Sequence, residues 1–209
     1  MFAKDRDLVV LEPGLMRDVG WAGQRVLDVT GTLSGTTLTI SSGSFVDAGV
    51  DAGHVVVFNG TALEVVSVDT ATTATVSIMR GSTASAPVGA GDASNRTVEV
   101  WTFTPQIGLV HRQVLAMLGI DPDGLGEIDE DAVTNPGALS RLEALGALHL
   151  IYAAAGAPGR GGARFDQRAG MYKERFSSER ERVVAMIDLD GDGIADTARR
   201  ANVFVLSRG

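Results

Sequence analysis

The sequence contains no cysteine. Disulfides, thiolate metal centres and cysteine nucleophiles are therefore excluded together. The absence fits manufacture in a reducing cytoplasm. Aromatic residues are sparse, at 5% of 209. No apolar run approaches the ~18 residues of a membrane span, so none is expected. The opening stretch MFAKDRDLVV carries two aspartates and no long apolar core. It is unlike a secretory signal. Positive charge is in deficit: 18 Lys and Arg stand against 26 Asp and Glu, a formal net charge of -8. Such a chain is a poor general ligand for nucleic acid, because phosphate contacts need Lys and Arg. It could still line a passage through which a polyanion slides.

Catalytic signatures are also missing. His54, His111 and His149 fall in three separate segments, with no H-E-x-x-H, and no G-x-S-x-G elbow occurs. Glu64 sits in a strand without an evident carboxylate partner. Each histidine reads as a surface or satisfied core residue, and a non-enzymatic protein is expected. The stretch Gly156–Gly162 superficially resembles a phosphate loop. It lacks the Lys-Ser/Thr pair and follows a helix, so it reads as a flexible loop.

What is present is a chain able to build a core, with 44% hydrophobic residues. Its 26 glycines exceed the usual ~7% but follow no period, which excludes collagen and simple repeats. Three textures divide it. Residues 1–24 are a lead-in, in which Asp5–Glu12 reads as a short strand or a short helix. Residues 25–104 read as all-β. Candidate strands are Arg25–Thr30, Thr36–Ser41, His54–Phe58, Leu63–Val68, Ala74–Met79 and Thr97–Phe103, rich in Val, Thr and Ile. Turn residues separate them, and Asn59-Gly60 is the strongest hairpin signal. This spacing predicts a small barrel or sandwich, with Trp21 and Trp101 packed in its core and Gly81–Asn95 a mobile loop.

Residues 105–209 change to helical period. Thr104-Pro105 and Asn135-Pro136 each pair a capping residue with a proline suited to the first helical position. The first opens a helix with Ile107, Val110, Val114, Met117 and Leu118 on one face, closed by Gly119. The second opens an apolar, central helix to about Ala155. A third helix spans about Asp166–Arg182. Val183–Leu189 continues it or becomes a strand, and Val203–Leu206 reads as a strand that a turn at Asp190–Gly193 could pair with it. The fold class expected is α+β: a small β-barrel or sandwich region placed before a helical bundle with a C-terminal β-hairpin.

The sharpest local motif is DLDGDGIAD, Asp188–Asp196. Calcium takes six to eight oxygens, and carboxylates at alternating loop positions can converge on one ion. Asp188, Asp190, Asp192 and Asp196, with the carbonyl of Ile194, are the candidate ligands. Arg199 stands where an EF-hand requires a bidentate glutamate. The motif also reads as a tight Asp/Gly turn, chemistry that turns favour without a metal. Beside it, Lys173–Arg182 (KERFSSERER) reads as a solvated helix face or as a face that meets a neighbouring copy. Arg175 and Glu179, four residues apart, could pair across a helical turn.

The order of elements in residues 105–209 resembles the head–tail connector, or adaptor, proteins of tailed bacteriophages. It comprises an apolar helix with Leu142, Leu145, Leu148 and Tyr152, a glycine loop, Met171–Phe176 leading an Arg/Glu-rich helix, then DLDGDGIAD and a terminal strand ending in Arg208. The resemblance covers about half the chain. It implies a structural virion protein in the neck, assembled in the host cytoplasm as a ring of twelve copies beneath the portal protein. It implies a neck or tail stopper or terminator as a further partner, and genomic DNA passing through without sequence-specific binding or membrane contact. Tyr172, Lys173, Arg175, Glu179, Arg180 and Arg182 are the candidate interface residues. The β region is similar to small SH3-like barrels and departs from the minimal helical adaptor. The alternative is a calcium-binding virion or surface module that binds through the β domain.

Overall fold

Each of the six Val/Thr/Ile-rich stretches forms a strand in a computed structural model of the chain, which describes residues 1–156 and 162–201. They are β1 (Gln24–Ser34), β2 (Thr37–Ile40), β3 (Val55–Phe58), β4 (Thr61–Val68), β5 (Thr73–Ser77) and β6 (Ala93–Thr102). All pair antiparallel and close into a barrel of order β1-β2-β5-β4-β3-β6, which decides between barrel and sandwich. Phe58 pairs with Thr61, leaving Asn59 and Gly60 as a two-residue turn at φ 49° and 81°. Only residues that tolerate positive φ close such a turn. β1 spans 11 residues and pairs with both β2 and β6, its register shifting twice against β6. Such shifts bend a strand and help a sheet close. Leu33, Leu38, Phe45, Val56, Leu63, Val76, Val98 and Val100 fill the interior.

Asp5–Glu12 resolves as a helix, α1 (Asp5–Leu11), followed by α2 (Leu15–Val19). Asp7 accepts the Lys4 N–H at 2.9 Å, half of a capping box. Leu8 and Val9 are buried, so burial overrides the strand preference of valine. Two expectations fail here. Trp21 is 40% exposed and Trp101 is half-buried, so neither fills the barrel core; the Arg25 guanidinium lies over the Trp101 ring at 5.5 Å. Nor is Gly81–Asn95 one free loop. Arg80 donates to the carbonyls of Thr83 and Ser85, Val88 donates to the Ser77 hydroxyl, and β6 begins at Ala93.

Contacts divide the chain into two units, Lys4–Thr104 and Met1–Ala3 with the chain from Pro105 onward. The 1–24 lead-in thus contributes mainly to the barrel unit. The second unit contains α3 (Thr104–Met117), α4 (Pro136–Ala155), α5 (Ala163–Arg182), β7 (Val184–Ile187) and β8 (Thr197–Arg200). α4 is its centre: Leu139, Leu142, Leu145, Leu148, Ile151 and Tyr152 are all buried. Gly146 explains how α3 and α5 approach it. A Cβ there would lie 2.6 Å from Val110 Cγ1 and 3.0 Å from Phe176 Cε2.

Asn135 precedes α4 as expected, but its side chain does not cap the helix. It donates to the Val184 carbonyl at 3.0 Å and accepts the Met186 N–H at 2.8 Å, tying the helix start to β7. Val183–Leu189 becomes strand rather than helix. Its partner is Thr197–Arg200, whereas the Val203–Leu206 strand lies outside the described residues, as does most of Gly156–Gly162. No described helix is long and apolar enough to cross a membrane.

Candidate functional site

Asp188–Asp196 is the loop of the β7–β8 hairpin. Asp188 organises it, with Oδ1 accepting Gly191 N–H at 2.7 Å and Oδ2 accepting Gly193 N–H at 2.7 Å. Gly191 and Gly193 hold φ of 79° and 86° to aim those groups inward. The Gly193 N–H, with those of Gly191 and Asp190, holds the Asp188 carboxyl below the ordinary aspartate range. Asp196 Oδ2 accepts Leu189 N–H at 2.7 Å, closing the loop across its mouth.

Carboxylate oxygens of Asp188, Asp190 and Asp196 lie within 4.8 Å of one another. An N–H occupies one lone pair of a carboxylate oxygen and leaves others for a cation. These three could hold one hard divalent ion. Asp192 stands outside that group, its Oδ1 accepting the Ile194 N–H at 2.7 Å. Ile194 is 70% exposed. Arg199 does not enter the loop. It donates to the carbonyls of Leu118 at 2.8 Å and Gly119 at 3.2 Å, at the C-terminal end of α3. A cation there meets the negative end of the helix dipole.

The charged helix α5 is amphipathic in a way that divides the candidate interface residues. Tyr172 is 1% exposed, its ring stacked on Tyr152 at 5.7 Å. It is a packing residue, and its assignment to a contact surface is corrected. Lys173, Arg175 and Arg182 are exposed, and Glu179 and Arg180 half-buried. Arg175 and Glu179 do not pair. Arg175 lies over the Tyr172 ring at 5.7 Å, and Glu179 lies 3.4 Å from Arg141 on α4.

Two buried polar clusters escaped the sequence reading. In the barrel unit, Glu64 is 0% exposed, and its carboxylate accepts from Nε of both Arg6 and Arg80. Arg6 also donates to Asp7 at 3.0 Å and to the Arg80 carbonyl at 2.7 Å. Two guanidiniums and two carboxylates balance in charge, so Glu64 is a lock rather than a free acid. Nearby, Asp5 accepts the Phe103 N–H at 2.8 Å, and burial pushes its carboxyl up.

In the helical unit, His111 Nδ1 lies 2.6 Å from Glu143 and Nε2 3.1 Å from Glu130. The other Glu143 oxygen accepts the N–H groups of Phe2 and Ala3 at 3.0 and 2.8 Å. Burial pushes Glu130 up, but the Met1 ammonium and His111 outweigh it and hold the carboxyl below its ordinary range. His111 is thus a core histidine with both nitrogens partnered, while His149 and His54 each meet a nearby backbone carbonyl. No family model, curated protein or solved structure matches the chain.

Proposed function

We propose that this chain is a structural virion protein, a head–tail adaptor whose copies form a ring beneath the portal and join the capsid to the neck. The observation that carries the reading is the order and packing of the helical unit. A central apolar α4 is flanked by α3 and α5, and the unit continues into the β7–β8 hairpin with its nine-residue acidic loop. The resemblance to connector proteins rests on that order of elements; in this unit the hairpin strands pack into the helical core through Ala185 and Ile187, and the acidic loop lies at their end. α5 supports it further, because one side packs on α4 while Lys173, Arg175 and Arg182 remain in solvent. Mixed charges on an exposed helix set register at a contact between copies. The barrel then serves as an added domain, with twelve copies in the ring and DNA passing through unread. Native mass spectrometry of the chain, alone and with a portal ring, tests this. Closed oligomers or stoichiometric decoration of the portal are expected. A monomer that ignores the portal would contradict it.

A second reading, a calcium-binding virion or surface module, is favoured by one observation, the convergence of Asp188, Asp190 and Asp196. A bound ion would raise the melting temperature, since a ligand that binds only the folded state stabilises it. An identical melting curve in calcium and in chelator would remove this reading.

A further inference from the structure

One flank of α5 carries a row of side chains at the edge of the unit's core, in which Arg168 donates to the Tyr152 hydroxyl at 2.8 Å. Arg164, Arg168, Met171, Arg175, Ser178 and Arg182 follow one another at intervals of four and three residues. That alternation keeps side chains on one face of a helix. At ~1.5 Å per residue the row is roughly 27 Å long. None of the six is buried.

Three of its guanidiniums lie over aromatic rings: Arg164 over Phe165 at 5.3 Å, Arg168 over Tyr152 at 5.4 Å and Arg175 over Tyr172 at 5.7 Å. Those rings belong to the core, with exposures of 7%, 0% and 1%. Resting on fixed rings, the guanidiniums have less freedom to lose on meeting an anion. Asp166, Glu174 and Glu181 fall off the row, and Glu179 beside it faces Arg141.

The same unit carries the complement. Between Asp121 and Asp131 there are six carboxylates and no basic residue. At the tip, Leu125 is 87% exposed, more than any other large hydrophobic side chain described. Asp121 holds the tip by accepting the N–H groups of Asp123 and Leu125. Glu127, Asp129 and Asp131 are exposed on one side of it. Leu125 thus faces outward amid acids on one surface, and the half-buried Met171 lies amid arginines on another.

We propose that the α5 arginine row of one copy receives the Asp121–Asp131 loop of the next, with Leu125 against Met171 and the loop carboxylates against Arg168, Arg175 and Arg182. The inference rests on the ring reading and names the contact that builds the ring. A phosphate backbone would satisfy the arginines but leave Leu125 and Met171 unexplained. Because the two surfaces differ, each copy has one of each, and head-to-tail repetition can close into a ring.

The test uses three full-length chains: the natural sequence, Arg175→Glu with Arg182→Glu, and Glu127→Lys with Asp129→Lys. Native mass spectrometry reads their assembly, alone and on a portal ring. Each variant alone is expected to lose the oligomer. Their equimolar mixture is expected to regain it, since every contact then joins opposite charges in alternating copies. The loop residues are exposed, so loss of assembly by the lysine variant at an unchanged melting temperature supports the contact even if the other variant misfolds. Variants that assemble like the natural chain would overturn this contact and leave the ring reading standing. A natural chain that never assembles would overturn both.

Discussion

Replacing Glu64 with glutamine removes one charge from the most enclosed ionic cluster of the barrel unit. Glu64 is 0% exposed, and the side chains of Arg6 and Arg80 are 10% and 7% exposed. In the Glu64→Gln chain, two guanidiniums stay buried, balanced only by Asp7, and the new amide turns a donor towards one of them. Leaving a buried charge unpaired costs about 3–5 kcal/mol. Whole domains have only about 5–15 kcal/mol to lose. For a unit of roughly 100 residues, each kcal/mol moves the melting temperature by about 4–8 °C, so the lower figure alone predicts a fall of about 12–24 °C. Differential scanning calorimetry of the full chain measures it. Hydrogen exchange should also rise across residues 81–88, because Arg80 holds the carbonyls of Thr83 and Ser85. A triple replacement, Arg6→Met, Glu64→Leu and Arg80→Met, should melt much closer to the natural chain, since the one charge left without its partner, Asp7, is 26% exposed and reaches water. A Glu64→Gln chain that melts within a degree or two of the natural one would refute this reasoning.

Gly146→Ala should destabilise the helical unit by about 1–3 kcal/mol through overpacking against Val110 and Phe176, against a gain of up to about 1 kcal/mol in helix propensity; chemical denaturation decides the sign. The Asp188 carboxyl lies lower in the folded chain than its ordinary 3.8, so its contribution is present above that value and is lost as pH falls through the folded one. Amide protection of Gly191 and Gly193, followed by NMR, should fall in that acidic window, and in Asp188→Asn the pH dependence should shrink. Asp5 runs the other way: burial raises its pKa, so its effect favours folding most at acid pH and diminishes as pH rises through the folded value. Asp5→Asn keeps an acceptor for the Phe103 N–H and should flatten that slope in a pH series of melting temperatures.

The strands were legible because Val, Thr and Ile clustered between turn residues, and Asn59-Gly60 marked its hairpin outright. α4 was legible because Leu139, Leu142, Leu145 and Leu148 recur along it, and 142–148 are buried without a break. Long-range partners were not. Arg6 is 58 residues from Glu64, and Glu143 is 32 from His111, so no local spacing announces either cluster. Tyr172 was misread from its charged neighbours, although Phe165, Ala169, Tyr172 and Phe176 repeat at helical intervals and mark the buried side of α5. The hairpin loop was read from its aspartates and glycines. Its second strand was not, because TARR lacks the apolar character of Val203–Leu206, and Arg199 serves the end of α3 instead.

Negative-stain imaging with mass photometry of the purified chain, with and without a portal ring, tests the adaptor account most directly. An adaptor ring gives end-on views of one cyclic symmetry and a single mass that is a fixed multiple of 21.8 kDa, free or on the portal. A species that stays at 21.8 kDa under every condition and leaves the portal undecorated would contradict it.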